Sequence, residues 1–440
     1  GFEPRARSGD RRERSRCKSE CFGETNMTEL FLLGAGASVE AGVPDAYPMT
    51  KKMLELFSED HIARYSGYDK VLQFVIGGLL FQQGIKGENP FDGVNIEDLF
   101  NAVLVLSDRQ NSELSPFISS WHPRIIGLES GQMASSTSRD LLKTINEPIE
   151  KFVKETTEEV FEQIKNLRER GRSSSLRRRE IATFFASSRF ENIFSDAVRQ
   201  VVSGSEGKLL RATADAMIQQ LVEMVWITDK GKVDYLKPLL RYVVDTNSFI
   251  VTLNYDNTIE LAGQINNIEI DTGFDAWSNF GDFVFGDGKI PLIKLHGSID
   301  WALSGGMVGK EKPLPYQIIQ KVDPNSIDRH SFQPAVIFGG KNKLTAKGPF
   351  LSLLRSFEAQ LLKSDILTII GYSFRDEHVN EFITNWFNGD VTHRIKIINP
   401  NLNSSNNTFV ASLLYDLTQD RVQVIKEKTS NGILNIVEAK

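Results

Sequence analysis

Short apolar runs that each stop at a glycine or a small polar residue constrain this chain more than any other feature. Phe31-Leu32-Leu33 breaks into Gly34-Ala35-Gly36-Ala37-Ser38. Ser248 to Leu253 ends at Asn254-Tyr255-Asp256, Pro291 to Leu295 at His296-Gly297-Ser298, and Ala335 to Phe338 at Gly339-Gly340. Ile366 to Ile370 ends at Gly371-Tyr372-Ser373, and Arg394 to Ile398 at Asn399-Pro400. Near-continuous apolar strands of this length are buried on both faces, as in a parallel sheet held between helices. The predicted fold is therefore α/β: a Rossmann-like parallel sheet with helices on both faces.

Between the first run and the rest lies a long stretch with helical texture. Thr50 to about Leu106 is periodic, with a Gly-rich break around Gly84 to Gly93 and a fresh helix start at Asn95, a predicted N-cap followed by Glu97 and Asp98. Ser107 to Ser138 reads as mixed and loop-like. Ile149, Phe152, Val153, Val160, Ile164 and Leu167 then form one apolar stripe at helical spacing, and 181–244 again reads as helices. Residues 50–244 are thus predicted as a large, mostly helical insertion, with 27–49 and 245–440 forming the Rossmann-like domain. Asp376 to Phe387 is a predicted covering helix, with Ser373 and Asp376 in capping-box spacing.

Composition narrows the class. The chain is 40% hydrophobic and 25% charged, as in globular proteins, and its formal charge of −6 argues against a general nucleic-acid coat. Six arginines between Arg168 and Arg179 read as a solvated inter-helix loop or as a local phosphate or nucleic-acid contact. Both cysteines, Cys17 and Cys21, fall within the first 26 residues. That excludes a disulfide framework or a four-cysteine zinc site beyond them and fits a reducing, cytoplasmic setting. Residues 1–26, rich in Arg, Ser and Glu without an apolar core, read as a leader or disordered tail. No apolar run reaches the roughly 18 residues of a membrane helix.

Ligands of open parallel sheets sit beyond the carboxyl ends of the strands, where strand order reverses. Every run above ends at such a point, so Gly34, Gly36, Ser38, Asn254, Asp256, His296, Gly371, Ser373 and Asn399 are expected around one crevice. The amides of the first glycine loop suit a phosphate, although the third glycine of the dinucleotide fingerprint is replaced by Val39. A plain turn is the competing reading. His296 is either a capped structural histidine or a catalyst, with Gly297 leaving room for a ligand beside it. Asn254 and Asp256 are either an Asx turn or, pointing the same way in an extended segment, two groups sharing one ligand.

Taken in order, Gly34 to Ser38 with Ala41-Gly42-Val43-Pro44-Asp45, Thr252 to Asp256, Leu295 to Ser298, Gly371 to Ser373 and Ile398 to Pro400 resemble the sirtuin family. The resemblance implies NAD, with its pyrophosphate on the first loop, its adenosine side near Ser373 and Asn399, and its nicotinamide ribose among Asn254, Asp256 and His296. The implied cofactor-binding set is Gly34, Ala35, Gly36, Ser38, Asp45, Thr252, Gly371, Ser373 and Asn399; His296, Asn254 and Asp256 are the implied catalytic set. Sirtuin deacylases carry a four-cysteine zinc ribbon that this chain lacks, and their Phe-Gly-Glu looks replaced by Phe338-Gly339-Gly340.

The chain therefore looks most similar to the zinc-less sirtuin-like NAD hydrolases of bacterial antiphage defence, including those paired with a HerA-type ATPase. This implies NAD as substrate, no metal, and nicotinamide with linear or cyclic ADP-ribose as products. A homo-oligomer gated by assembly or by such an ATPase is expected, with no membrane contact and nucleic acid only through a partner. An NAD-dependent deacylase and a non-catalytic NAD- or nucleic-acid-binding scaffold are the alternatives.

Overall fold

The computed structural model describes residues 27–58, 68–86, 93–108, 208–305, 317–323, 334–337, 349–402, 407–415 and 420–438. The stripe from Ile149 to Leu167 and the arginine-rich 168–179 lie outside them, as do most of 107–138, residues 181–207 and Gly339-Gly340. Strands β1 (Glu29–Leu33), β2 (Phe249–Thr252), β3 (Ile270–Asp271), β4 (Ile290–Lys294), β8 (Ile366–Ile370), β9 (Arg394–Ile398) and β10 (Val422–Ile425) form a seven-stranded sheet. Its order is β10-β9-β8-β1-β2-β4-β3, and every pairing is parallel.

Period-two alternation sends the strand side chains to two separate cores. Phe31, Leu33, Ile250, Leu292, Ile370 and Ile398 enter one cluster, and Leu30, Leu32, Val251, Ile293, Ile369 and Ile397 enter the other. This double burial is why these runs read as continuously apolar. The first face is covered by α1 (Ala46–Ser58), α2 (Tyr68–Ile85), α3 (Ile96–Ser107), α4 (Lys208–Val225), α5 (Lys237–Thr246), α6 (Thr258–Asn266) and α11 (Thr429–Val437). The second is covered by α7 (Phe274–Phe280), α8 (Phe350–Leu361), α9 (Glu377–Gly389) and α10 (Thr408–Leu413). Among the described residues no helix is long and apolar enough to cross a membrane.

Several local expectations find their physical form. Asn95 caps α3, its side chain accepting from Glu97 N at 2.8 Å. Pro238 stands in the first turn of α5, where its missing N–H costs nothing. The cut points between 49 and 50 and between 244 and 245 both run through helices, α1 and α5, whose apolar faces share the sheet's first core.

Other expectations need correction. The run at Ala335 does not join the parallel sheet. It forms β7 (Pro334–Val336), which with β5 (Gly297–Gly305) and β6 (Gln317–Lys321) makes a three-stranded antiparallel sheet against the second core. A short apolar run carries no mark of its partner's direction. Gly297 leaves no room for a ligand: its φ of 80° and the carbonyl of Ala335, where a Cβ would collide, demand glycine for the backbone's own sake. The first glycine loop is not an open turn but a 3-10 segment, Ala35–Ala41. At α9, Ser373 forms no capping box with Asp376; Asp376 is itself the N-cap.

Candidate active site

The register levels the strand ends: Leu33 stands opposite both Thr252 and Ile370, Thr252 opposite Lys294, and Ile370 opposite Ile398. The residues just past these ends therefore share one rim. There a crevice of about 790 Å3, counted out to its open mouth, is lined by Gly34, Ala35, Asn254, Asp256, His296 and Ser373 from the sheet side. Asn95, Ile96 and Glu97 at the start of α3 and Val225 at the end of α4 close the opposite side, with Met49 of α1.

The two glycine turns meet by backbone alone. Gly36 N donates to Gly371 O at 2.9 Å, and Gly371, at a φ of 63°, approaches Gly36 and Ala37 so closely that a Cβ would collide with Ala37 N. Gly34 N donates to Ile370 O and Ala37 N to Gly34 O, both at 2.9 Å, so these loop amides are spent inside the protein. The N–H of exposed Ala35, facing the crevice, has no acceptor among the described residues. The hydroxyl of Tyr235 secures the same loop by donating to Ala37 O at 2.6 Å.

Asn254 is oriented by this loop. Its Nδ2 donates to Gly34 O and to Ser38 Oγ, each at 2.9 Å, which leaves Oδ1 as the free acceptor of the side chain among the described residues. Ser38 is buried and does not reach the crevice; its hydroxyl bridges Asn254 and Thr258 Oγ1. Thr252 is likewise buried, donating to Leu33 O at 3.3 Å and accepting from Asn254 N at 3.0 Å. Gly36 and Gly371 also lie behind the lining. Exposed Asp45 stands off the crevice, and half-buried Asn399 holds Tyr372 O at 3.3 Å and Asn401 N at 2.9 Å rather than facing the cavity. Asp256 lines the crevice, but not from an extended segment: its Oδ1 accepts from Thr258 N at 3.0 Å and Thr258 Oγ1 at 2.7 Å, an Asx arrangement that opens α6.

Behind Asp256 lies a buried cation. Lys294 Nζ donates to Asp256 O at 2.5 Å and to Glu260 Oε1 at 2.6 Å. Burial opposes the ammonium's charge, but Glu260, Asp300 and Asp256 outweigh it and hold the group above its ordinary value.

His296 and Asp376 are each only 6% exposed, and His296 Nε2 stands 3.0 Å from Asp376 Oδ2. Asp376 also lines the crevice with Tyr372 and Arg375. Burial and neighbouring carboxylates push the hydroxyls of Tyr255 and Tyr372 well above their ordinary value, so both stay protonated donors. Sequence reasoning missed Tyr255, Tyr372, Arg375 and the histidine pairing of Asp376. It took Asn95 and Glu97 only as a helix start. Adjacency to Ser373 at a strand's carboxyl end was the available signal for Arg375 and Asp376; for Glu97 there was none. Among the described residues no cluster of His, Cys, Asp and Glu is arranged to hold a metal ion.

Fold and crevice define an open parallel α/β protein with a ligand site at the carboxyl ends of its central strands. Residues 248–397, about a third of the chain, match the family model of the SIR2-like domain. Solved Sir2 structures also align with the chain, at low identity and low TM-score. A triple mutant of a Sir2 homologue with 2'-O-acetyl ADP-ribose aligns at 14% identity over 51% of this chain and 72% of that one, with a TM-score of 0.32. A Sir2 homologue–NAD complex aligns at 14% identity over 51% and 70%, TM-score 0.32. A Sir2–p53 peptide–NAD+ complex aligns at 9% identity over 94% and 92%, also at 0.32. No curated protein matches the chain.

Proposed function

We propose that the crevice binds NAD and hydrolyses its nicotinamide–ribose bond. One observation carries the reading: Asn254 Oδ1 and the ring of His296, two groups able to accept protons or hydrogen bonds from water, line the same crevice as the unspent amide of Ala35. The SIR2-like match over 248–397 supports NAD as the ligand.

In this reading the Ala35 amide takes a pyrophosphate oxygen, and Asp256 and Glu97 lie near the nicotinamide riboside, where positive charge sits and persists as the glycosidic bond loosens. The C–N bond breaks with its electron pair leaving on nicotinamide. A water held by Asn254 supplies oxygen to C1′, and its proton passes to His296. The protein's own groups suffice for this step without a metal. We further propose, from the hazard of ungated NAD loss, that activity is switched by homo-oligomer assembly or by a HerA-type ATPase partner, as an antiphage effector would require.

The test is turnover of NAD without any acylated peptide. His296→Ala is expected to lower it by about a hundredfold or more, the scale of general acid–base catalysis, while NAD still binds by calorimetry. Near-normal hydrolysis by that variant refutes the role of His296. A strict requirement for an acyl-lysine peptide would turn the reading to deacylation.

A further inference from the structure

We propose that Asp376 is a positioning residue that fixes the tautomer of His296 and so leaves Nδ1 as the basic nitrogen. The inference rests on the reading of His296 as the base, but the pairing itself is geometric. A carboxylate only accepts, so the 3.0 Å contact makes Nε2 the protonated ring nitrogen and Nδ1 the one with a free lone pair. Nδ1 has no hydrogen-bond partner among the described residues, and His296 lines the crevice.

Asp376 is held from several sides. Its Oδ1 accepts from His378 N at 3.1 Å and Val379 N at 3.3 Å as the N-cap of α9, whose positive end favours the ionised carboxylate. Its own N–H donates to the hydroxyl of Tyr372 at 3.1 Å. Two residues earlier, buried Phe374 adopts a φ of 57°, an uncommon left-handed conformation for a bulky side chain. Asn380 and Asn407 donate to its carbonyl at 2.8 and 3.1 Å, and its ring stacks on Phe409 at 5.5 Å between centroids. Strain of this kind persists only where the surroundings over-determine it, and here it turns the chain so that one carboxylate serves helix and histidine together.

A cap alone would need only Oδ1, and asparagine caps as well as aspartate. Asp376→Asn therefore separates the two roles. The amides of His378 and Val379 hold the carboxamide oxygen, so its NH2 faces His296 and forces Nε2 to accept, moving the ring proton to Nδ1. In serine hydrolases the same change of orienting carboxylate leaves the fold intact and lowers turnover by about 10⁴.

The experiment compares wild type, Asp376→Asn, Asp376→Ala and His296→Ala in NAD turnover, thermal unfolding and histidine ¹⁵N NMR. Asp376→Asn is expected to lower kcat at least about tenfold with an unchanged KM and unfolding midpoint, and to shift the His296 ring proton from Nε2 to Nδ1. Asp376→Ala is expected to lower both kcat and midpoint. Wild-type kcat in Asp376→Asn beside an inactive His296→Ala overturns the proposal while sparing the NAD reading. If His296→Ala keeps wild-type turnover, it is the reading of His296 as the base that fails, while NAD hydrolysis itself stands. The pairing is then judged by NMR alone, where an Nδ1–H tautomer in wild type overturns it.

Discussion

At the scale of single residues, most polar groups near the crevice act on one another before they act on a ligand. Ser38 and Thr252 orient Asn254, and Lys294 holds the carbonyl of Asp256. Lys294→Met should leave Glu260 without its 2.6 Å partner and lower stability by roughly 3 kcal/mol, the cost of breaking a largely buried pair. The pH dependence has a definite sign. A lysine whose folded-state value is raised contributes stability in full below its unfolded value near 10.4 and loses it only as pH rises through the folded value. On the alkaline side the gap in unfolding free energy between wild type and Lys294→Met should therefore shrink only beyond about pH 10 in denaturant titrations. On the acid side it should narrow as pH falls, because Glu260, pushed up by burial and without its cation in the variant, takes up a proton; a gap that closes between about pH 9 and 10 would remove Lys294 from this role.

At the scale of elements, the glycine turns after β1 and β8 work as one unit, because Gly36 and Gly371 touch by backbone. Gly371→Ala must place a Cβ both in a left-handed conformation, costing roughly 1–2 kcal/mol, and against Ala37 N. A fall in thermal midpoint together with weaker NAD binding is the expected result; an unchanged midpoint contradicts the packing. The strand runs and their punctuation were legible because burial on both faces leaves a continuous apolar signature and because strands must stop where backbone turns. What lies behind the punctuation was not. Spacing alone could not tell that Ser38 and Thr252 point inward to brace Asn254, that Asn399 holds Tyr372 O, or that β7 runs antiparallel beside β5, since those depend on contacts between segments far apart in the chain.

At the scale of the whole molecule, the described helices between β1 and β2, α1 to α5, do not stand apart from the sheet. Met53, Leu72, Leu99 and Met217 share one core with Phe31 and Leu33, and the start of α3 brings Glu97 to the crevice. Asn95→Ala, removing that helix's cap, should cost about 1 kcal/mol and, by displacing Glu97, raise KM for NAD more than it lowers kcat. Unaltered kinetics would confine this side of the crevice to a structural role. Sequence periodicity exposed the helices but not the side they close, since an N-cap and a ligand-facing carboxylate look alike until the fold sets them opposite Asn254 and His296. The most direct test is chromatography of NAD incubated with wild type, Asn254→Ala and His296→Ala, with no peptide present and with and without candidate partner ATPase. Nicotinamide and an ADP-ribose product are expected from wild type and from neither variant. Intact NAD bound by wild type under every condition, or equal hydrolysis by all three proteins, would contradict the assignment of this crevice as an NAD-cleaving site.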